Sequence, residues 1–418
     1  MKRNLGVKTS FRRCFLSMPD TDYYFHEPGT LGLGAVLDVG LRCTHSCRFC
    51  YYSFYTSPED QFLALRKGSF RPISECLEIL SHIAANGLKH VDVTGGEPTL
   101  HPGIVEIARH ASKLGLGLRI ITLGQFLMQK RAGDEILLQQ LLDAGVADFL
   151  FSVHAVDEAN FKGFTGGSLE KLSTAMSYLK GIGFQYGVNT VVFRDNLDML
   201  PEIAKISVSM GAYIHNFILF NAYHRWSEVP QIVEMQPIYQ EVSGPLQEAV
   251  NILESRGLAI NIRYAPLCVV RGLERHVVGV TGVCFDPYEW RNRACNYDRD
   301  PSFCAEPIAL STEGVLVAHS MQEKNGVTPG GTPFFAMRGD DFKIFPEICR
   351  SCAAHHVCDG IDPRYADRHG LTAFSPYYSL ETTGVLTGAR VSYLPPFFVK
   401  MGPMADMRSA VMGTLPRR

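Results

Sequence analysis

Between about residue 35 and residue 225 the chain alternates two hydrophobic periods. Short apolar runs give way to stretches in which apolar side chains return every three or four positions, the pattern of repeated β/α units. Ala35–Val39, His90–Val93, Leu118–Thr122, Phe149–Val153, Gly187–Phe193 and Asn216–Phe220 read as six strands. Ser74–Asn86, Gly103–Leu114, Asp134–Ala144, Ser168–Lys180 and Leu197–Met210 read as the helices between them, with Ser74 placed to cap the first. Beyond residue 230 the pattern changes. Gln236–Arg256 predicts a long helix, Ala259–Arg263 a further strand, and Pro307–Ser311 with Val315–His319 a hairpin around a Thr-Glu-Gly turn. The segment after residue 365 is rich in Tyr, Phe and Pro, without helical periodicity, and is expected to cover the barrel or its pocket.

Six β/α units suit an open parallel sheet or a partial barrel, and in barrels the loops after the strands carry the chemistry. Composition narrows the class little. A net charge of −2 over 418 residues gives no electrostatic case for nucleic acid or an anionic membrane surface. No apolar run reaches the roughly 18 residues that span a bilayer. Five Lys or Arg and no acid in the first 17 residues read as a cytoplasmic N-terminal arm. Twelve cysteines without a secretory signal point to metal binding in a reducing, cytoplasmic compartment in preference to disulfides.

The cysteines cluster. Cys43, Cys47 and Cys50 follow the first strand with the spacing C-x3-C-x2-C, and Phe49 adds an aromatic wall. Three thiolates on one loop hold three irons of a [4Fe–4S] cube and leave the fourth open. A closed zinc site is the alternative, but no second C-x2-C pair follows nearby. The second strand ends in Gly95-Gly96-Glu97-Pro98, where glycines admit close backbone approach and proline stiffens the turn.

These two motifs, in this order, resemble the radical S-adenosylmethionine (SAM) superfamily. The resemblance implies an α/β fold, a partial (β/α)6 barrel, and decides against a doubly wound sheet. It also implies a cluster on Cys43, Cys47 and Cys50 whose open iron chelates SAM, with Phe49 beside it. Gly95, Gly96, Glu97 and Pro98 would meet the SAM amino group. Thr122, Ser152, His154 and Asn189, at the later strand ends, would meet its carboxylate and ribose; each could instead be an ordinary barrel hydrogen-bonding group. Cys349, Cys352 and Cys358, spaced C-x2-C-x5-C, resemble the SPASM and Twitch extensions that hold auxiliary clusters. The match is incomplete, because His319 and Asp362 stand where that pattern has cysteines. One auxiliary [4Fe–4S] cluster on Cys304, Cys349, Cys352 and Cys358 is therefore expected, with Cys284, Cys295 and His319 competing for the place of Cys304. Structural zinc remains open there too. Cys268 is a candidate hydrogen donor or cluster ligand, against the plainer reading of a buried small side chain.

The expected domains are an arm (1–34), the barrel (35–230), a helix with the auxiliary-cluster domain (231–365) and a tail (366–418). The expected chemistry is reductive cleavage of SAM to a 5′-deoxyadenosyl radical, which abstracts a hydrogen atom from a substrate. The outcome would be oxidation, rearrangement or bond formation. Flavodoxin or ferredoxin would donate the electron. A small polar metabolite is the expected substrate, because a peptide-recognition domain of about 80 residues has no room before the barrel. A peptide- or protein-modifying maturase and a non-catalytic electron carrier are the alternatives.

Overall fold

The computed structural model describes residues 30–31, 34–50, 53, 62–85, 90–131, 133–222, 229–278, 308–309, 344–352, 358 and 360–377. Its centre is one parallel sheet. We label its strands β1 (Gly34–Asp38), β2 (His90–Thr94), β3 (Gly117–Thr122), β4 (Asp148–Ser152), β5 (Gly187–Val192), β6 (Ile214–Leu219), β7 (Ala259–Arg263) and β8 (Val277–Val278). Each pairs in parallel with the next, in chain order. This is the partial barrel expected from the β/α repeat, lengthened by β7 and the short β8. Of the predicted hairpin, Ile308–Ala309 pairs with Thr30–Leu31 instead, and Val315–His319 lies outside the described residues.

The helices form where apolar residues share a face. In Ile104–Lys113 the buried side chains are Ile104, Ile107, Ala108 and Ala111, one stripe at helical spacing. In Leu169–Gly181 they are Leu172, Ala175, Met176 and Leu179, and Ser168 caps the start by accepting from the Lys171 amide. Two helices start later than the pattern suggested. Leu137–Asp143 is preceded by extended Ile136, bridged to Lys130. Leu200–Met210 takes over from a 3-10 segment, Arg194–Met199, and carries Pro201 in its first turn, where a missing N–H costs nothing. Several helices escaped the sequence reading, among them Leu63–Lys67, Pro230–Val233 and Pro363–His369; the longest of those described is Glu158–Thr165. Glu158–Thr165 is capped by Asp157, which accepts from the Asn160 amide.

Side-chain direction in the sheet follows from the neighbours. Thr190 and His215 bond each other, and His215 bonds Ser207 of the helix Leu200–Met210. Asn189 and Asn216 therefore point to the opposite, inward face. In register with them stand Ser152 on β4 and Asn261 on β7. Ser152, Asn189, Asn216 and Asn261 thus form a polar row across four strands. Two layers below lies the barrel floor, where Arg119 makes a fork to both oxygens of Asp92 at 2.7 and 3.1 Å and approaches Asp148 at 3.9 Å. Asp148 also accepts from the Tyr213 hydroxyl.

Candidate active site

The cysteine loop and the Gly95–Pro98 loop leave adjacent strands at the same level, since Asp38 pairs with Thr94. They are bonded backbone to backbone. The Gly96 amide donates to Gly40 O (2.8 Å) and the Glu97 amide to Arg42 O (3.0 Å). Gly95 has φ +129°, which favours glycine. A Cβ on Gly96 would come within 2.2 Å of Arg42 O and 2.4 Å of Leu41 O. The double glycine is what allows the two loops to touch.

The cysteine loop is held from the other side by the helix Glu158–Thr165. Ser46 N donates to Thr165 O (2.8 Å) and Arg48 N to Phe164 O (3.0 Å), both carbonyls at the C-terminus of Glu158–Thr165. Such carbonyls lack partners within a helix, so its end is a ready set of acceptors. Cys43 N donates to Leu65 O (3.0 Å), and Cys50 N to Cys47 O (3.0 Å). Cys43 and Cys47 are held protonated by burial. The Cys43 thiol is pushed up to about 12 by that burial, reinforced by Glu97 and Cys50. Cys47 is raised by burial and then by the charges of Cys50 and Cys43.

Glu97 is fully occupied within the protein. Oε1 accepts from the Thr99 amide and hydroxyl and from Thr122 Oγ1 (2.7 Å). Oε2 accepts from the Leu123 amide (3.2 Å) and lies 3.6 Å from His45 Nε2. Burial alone would raise this carboxyl; His45, Thr99 and Thr122 together hold it below its ordinary range. Glu97 is therefore a clasp between β2, β3 and the cysteine loop, and Thr122 is spent on it. His45, the clasp's partner from the cysteine loop, was passed over as a spacer residue.

Phe49 packs on His154 (ring centroids 4.4 Å) and Phe193 (5.3 Å). His154 is buried and neutral, its pKa lowered to about 3 by that burial, and its Nδ1 accepts from the Val191 amide at 3.2 Å. Its ring supports Phe49. By contrast, Asn189 Oδ1 is a buried acceptor without a hydrogen-bond partner, and it lies on the inward face beside Ser152.

The C-terminal cysteines meet at a second place. Cys349, Cys352, Cys358 and Cys268 line one pocket. Asp362, which stands at a cysteine position of the SPASM pattern, caps the helix Pro363–His369 by accepting from the Arg364 amide. That helix runs across residue 365. Cys284, Cys295, Cys304 and His319 lie outside the described residues. Among the described residues no three His, Cys, Asp or Glu side chains gather as for a single metal ion; a four-iron cluster takes one thiolate per iron and needs no such gathering. Nor is any helix among them long and apolar enough to cross a membrane.

A curved parallel sheet, a three-cysteine loop after β1 and a double-glycine clasp after β2 define a radical SAM domain. Residues 37–206 match the model of the radical SAM superfamily, and the chain carries that domain. It is similar to a PqqA peptide cyclase of Rhodopseudomonas palustris, 30% identical over 43% of this chain and 45% of the relative. A PqqA peptide cyclase of Granulibacter bethesdensis is 26% identical over 78% of this chain and 80% of the relative. The chain thus spans less than half the length of the first of these. Among solved structures, Streptococcus suis SuiB bound to precursor peptide SuiA aligns with TM-score 0.44 and 16% identity, over 56% of this chain and 48% of that one. The expectation of a small polar metabolite as substrate and partner is corrected by these relatives, whose names are those of peptide cyclases. Space before the barrel was a poor guide, because a peptide is also bound at sheet edges and grooves elsewhere in a fold.

Proposed function

We propose that this protein is a radical SAM enzyme that modifies a peptide. The observation that carries the reading is the clasp itself, in which the loop bearing Cys43, Cys47 and Cys50 is locked to Gly95–Pro98 at one end of the barrel. The donor set fits a [4Fe–4S] cluster with SAM. Three soft thiols stand on one loop, and the orphaned acceptor Asn189 Oδ1 awaits a donor such as a ribose hydroxyl. Cys43, Cys47 and Cys50 would hold the cluster. When bound, cluster and SAM supply a carbon-centred radical that removes a hydrogen atom from the substrate.

This chain's own residues do the positioning. Glu97, satisfied by Thr99, Thr122 and Leu123, fixes the loop that would meet the SAM amino group. Phe49, wedged by His154 and Phe193, walls the cysteine loop from the barrel. The polar row Ser152, Asn189, Asn216 and Asn261 offers hydrogen bonds to SAM or substrate from the inward face, and the Asp92–Arg119–Asp148 floor closes the barrel beneath it. Cys349, Cys352 and Cys358 would hold an auxiliary cluster beside the barrel. A peptide substrate is supported by the peptide cyclases named above.

The test is made on anaerobically reconstituted protein with SAM and dithionite. 5′-Deoxyadenosine should form, and a synthetic PqqA-type precursor peptide should raise its rate and change in mass. Absence of 5′-deoxyadenosine removes the enzymatic reading. Unmodified peptide, with SAM cleavage unaffected by it, removes the peptide.

A further inference from the structure

We propose that Cys268 is the fourth protein ligand of the auxiliary cluster, completing a Cys268–Cys349–Cys352–Cys358 site. The inference rests on the auxiliary-cluster reading above and goes beyond it by naming the ligand that the spacing motif leaves open. Four cysteines are the usual complement of a closed [4Fe–4S] site. Among the described residues the structure brings four cysteines, and no His, Asp or Glu, to one pocket: Cys268 from the turn after β7, Cys349 and Cys352 from the short helix Glu347–Arg350 and its end, and Cys358 from just before the Ile361 bridge.

Three features of this pocket belong to an iron–sulfur site. Its remaining walls are largely apolar, with Leu267, Phe345, Ile348, Ile361 and Phe374 excluding water from the sulfurs. Backbone amides point at the thiols: Tyr377 N donates to Cys352 Sγ at 3.3 Å, Gly360 N to Cys358 Sγ at 3.4 Å, and the Ser375 backbone bonds Cys268. Amide hydrogen bonds to sulfur are among the protein's means of tuning such a cluster. Finally, the two chain segments are stitched together independently of any metal. The Tyr377 hydroxyl donates to Glu274 Oε1 at 2.7 Å and lies 3.0 Å from Leu267 O. Arg271 lies over the Tyr377 ring at 4.0 Å and donates to Ser375 O at 2.8 Å. On the other side, Ile344 and Ile361 exchange backbone hydrogen bonds at 2.7 and 2.9 Å, setting the Cys349 helix against the Cys358 stretch. The sequence from Pro266 to Glu274 is thereby clamped to the segment that follows the C-x2-C-x5-C motif. Cys268 is held facing it.

Iron and sulfide counts on the anaerobically reconstituted full chain test this directly. Two four-iron clusters give about eight of each per wild-type chain. Cys268→Ala should fall to about four, and Cys304→Ala should stay near eight. Eight irons in Cys268→Ala, or four in Cys304→Ala alone, would overturn the assignment while leaving the auxiliary cluster standing. A wild-type count near four, or zinc in place of the second four irons, or a Cys349→Ala protein with the full count, would instead remove the auxiliary cluster and this proposal with it. If Cys268→Ala precipitates, Cys268→Ser in a Cys43/Cys47/Cys50→Ala background isolates the second cluster with an oxygen ligand in place of sulfur. Its reduced-state electron paramagnetic resonance g values should shift from those of the same background with Cys268 intact. Identical spectra would sink the idea.

Discussion

The two cysteine groups of this protein are built by opposite means. Cys43, Cys47 and Cys50 are neighbours in sequence, on a loop pinned by backbone bonds to Gly95–Pro98, to the end of helix Glu158–Thr165 and to Leu65. The second group is drawn from distant parts of the chain and held by side chains, Tyr377 and Arg271 above all. A site made of one loop with three thiols can leave one of four irons without a protein ligand. A site gathered from several segments closes on itself. The difference matches the roles assigned to them, an open catalytic cluster and a closed auxiliary one.

The largest effect should come from breaking the first group. Cys43→Ala, Cys47→Ala and Cys50→Ala together should abolish 5′-deoxyadenosine formation and lower iron from about eight to about four per chain, leaving the second group loaded. Residual cleavage above the dithionite blank would contradict the assignment of the open cluster to this loop.

Next in size is the buried carboxylate clasp that locks this loop. Glu97→Gln keeps the shape but turns a buried carboxylate acceptor into an amide that must place an NH₂ against donors. Weakening the clasp by about 1.5–3 kcal/mol loosens the loop that would meet the SAM amino group, so SAM affinity should fall, by no more than about tenfold to a hundredfold. Gly96→Ala forces a methyl onto Arg42 O and should weaken SAM at least as much. Equilibrium binding of SAM measures both, with the iron of the second group as an unchanged internal control.

How much of this was open to reading from sequence follows the same division. The β/α repeat fixed six strands because buried parallel strands are continuous apolar runs that differ from amphipathic helices. The cysteine loop and Gly95–Pro98 were legible because each is local, with its chemistry in consecutive residues. Helix Glu158–Thr165 was missed because it is short and interrupted by Gly163, though Asp157 followed by Glu158 was an available start signal. For Glu97 the motif offered two roles, fixing the loop or accepting from a ligand ammonium, and nothing in it announces that Thr122 and Leu123 arrive from the next strand to bond it. Cys268 could be placed with Cys349 only by the fold. The expectation of a small polar metabolite, corrected by relatives named as peptide cyclases, failed for a different reason: nothing local in the residues of a barrel announces what it acts on.

A pH series separates the regions further. His154 and His215 sit in the barrel, buried and neutral, each lowered to about 3 chiefly by burial. In the unfolded chain each titrates near 6.5. Because the folded values are depressed, the unfolded state binds more protons below 6.5. Their stabilisation is thus fully present above pH 6.5 and is lost as pH falls from there toward 3. The slope is up to about 1.4 kcal/mol per pH unit for each histidine. His154→Gln, which can still accept from the Val191 amide, should remove about half of this slope between pH 6.5 and 5 in denaturant titrations of the holoprotein. An unchanged slope would mean that His154 becomes charged without unfolding the barrel.

The smallest effect tests whether an exposed ion pair helps to hold the cysteine loop. Arg48, inside that loop, makes an ion pair with Asp195 at 2.8 Å, and the two side chains are 41% and 39% exposed. An exposed pair of this kind contributes about 0–1 kcal/mol and is screened by salt. Asp195→Asn should therefore change SAM affinity by no more than about fivefold at low ionic strength, and the difference should vanish near 1 M salt, where the Debye length is about 3 Å. The Arg48 amide, bonded to Phe164 O, is untouched by the substitution. If Asp195→Asn weakened SAM as strongly as Glu97→Gln, the loop would depend on its surface pair, and the contrast with the side-chain-stitched second group would collapse. If it does nothing, the backbone bonds and the buried Glu97 clasp carry the open-cluster loop without the surface pair.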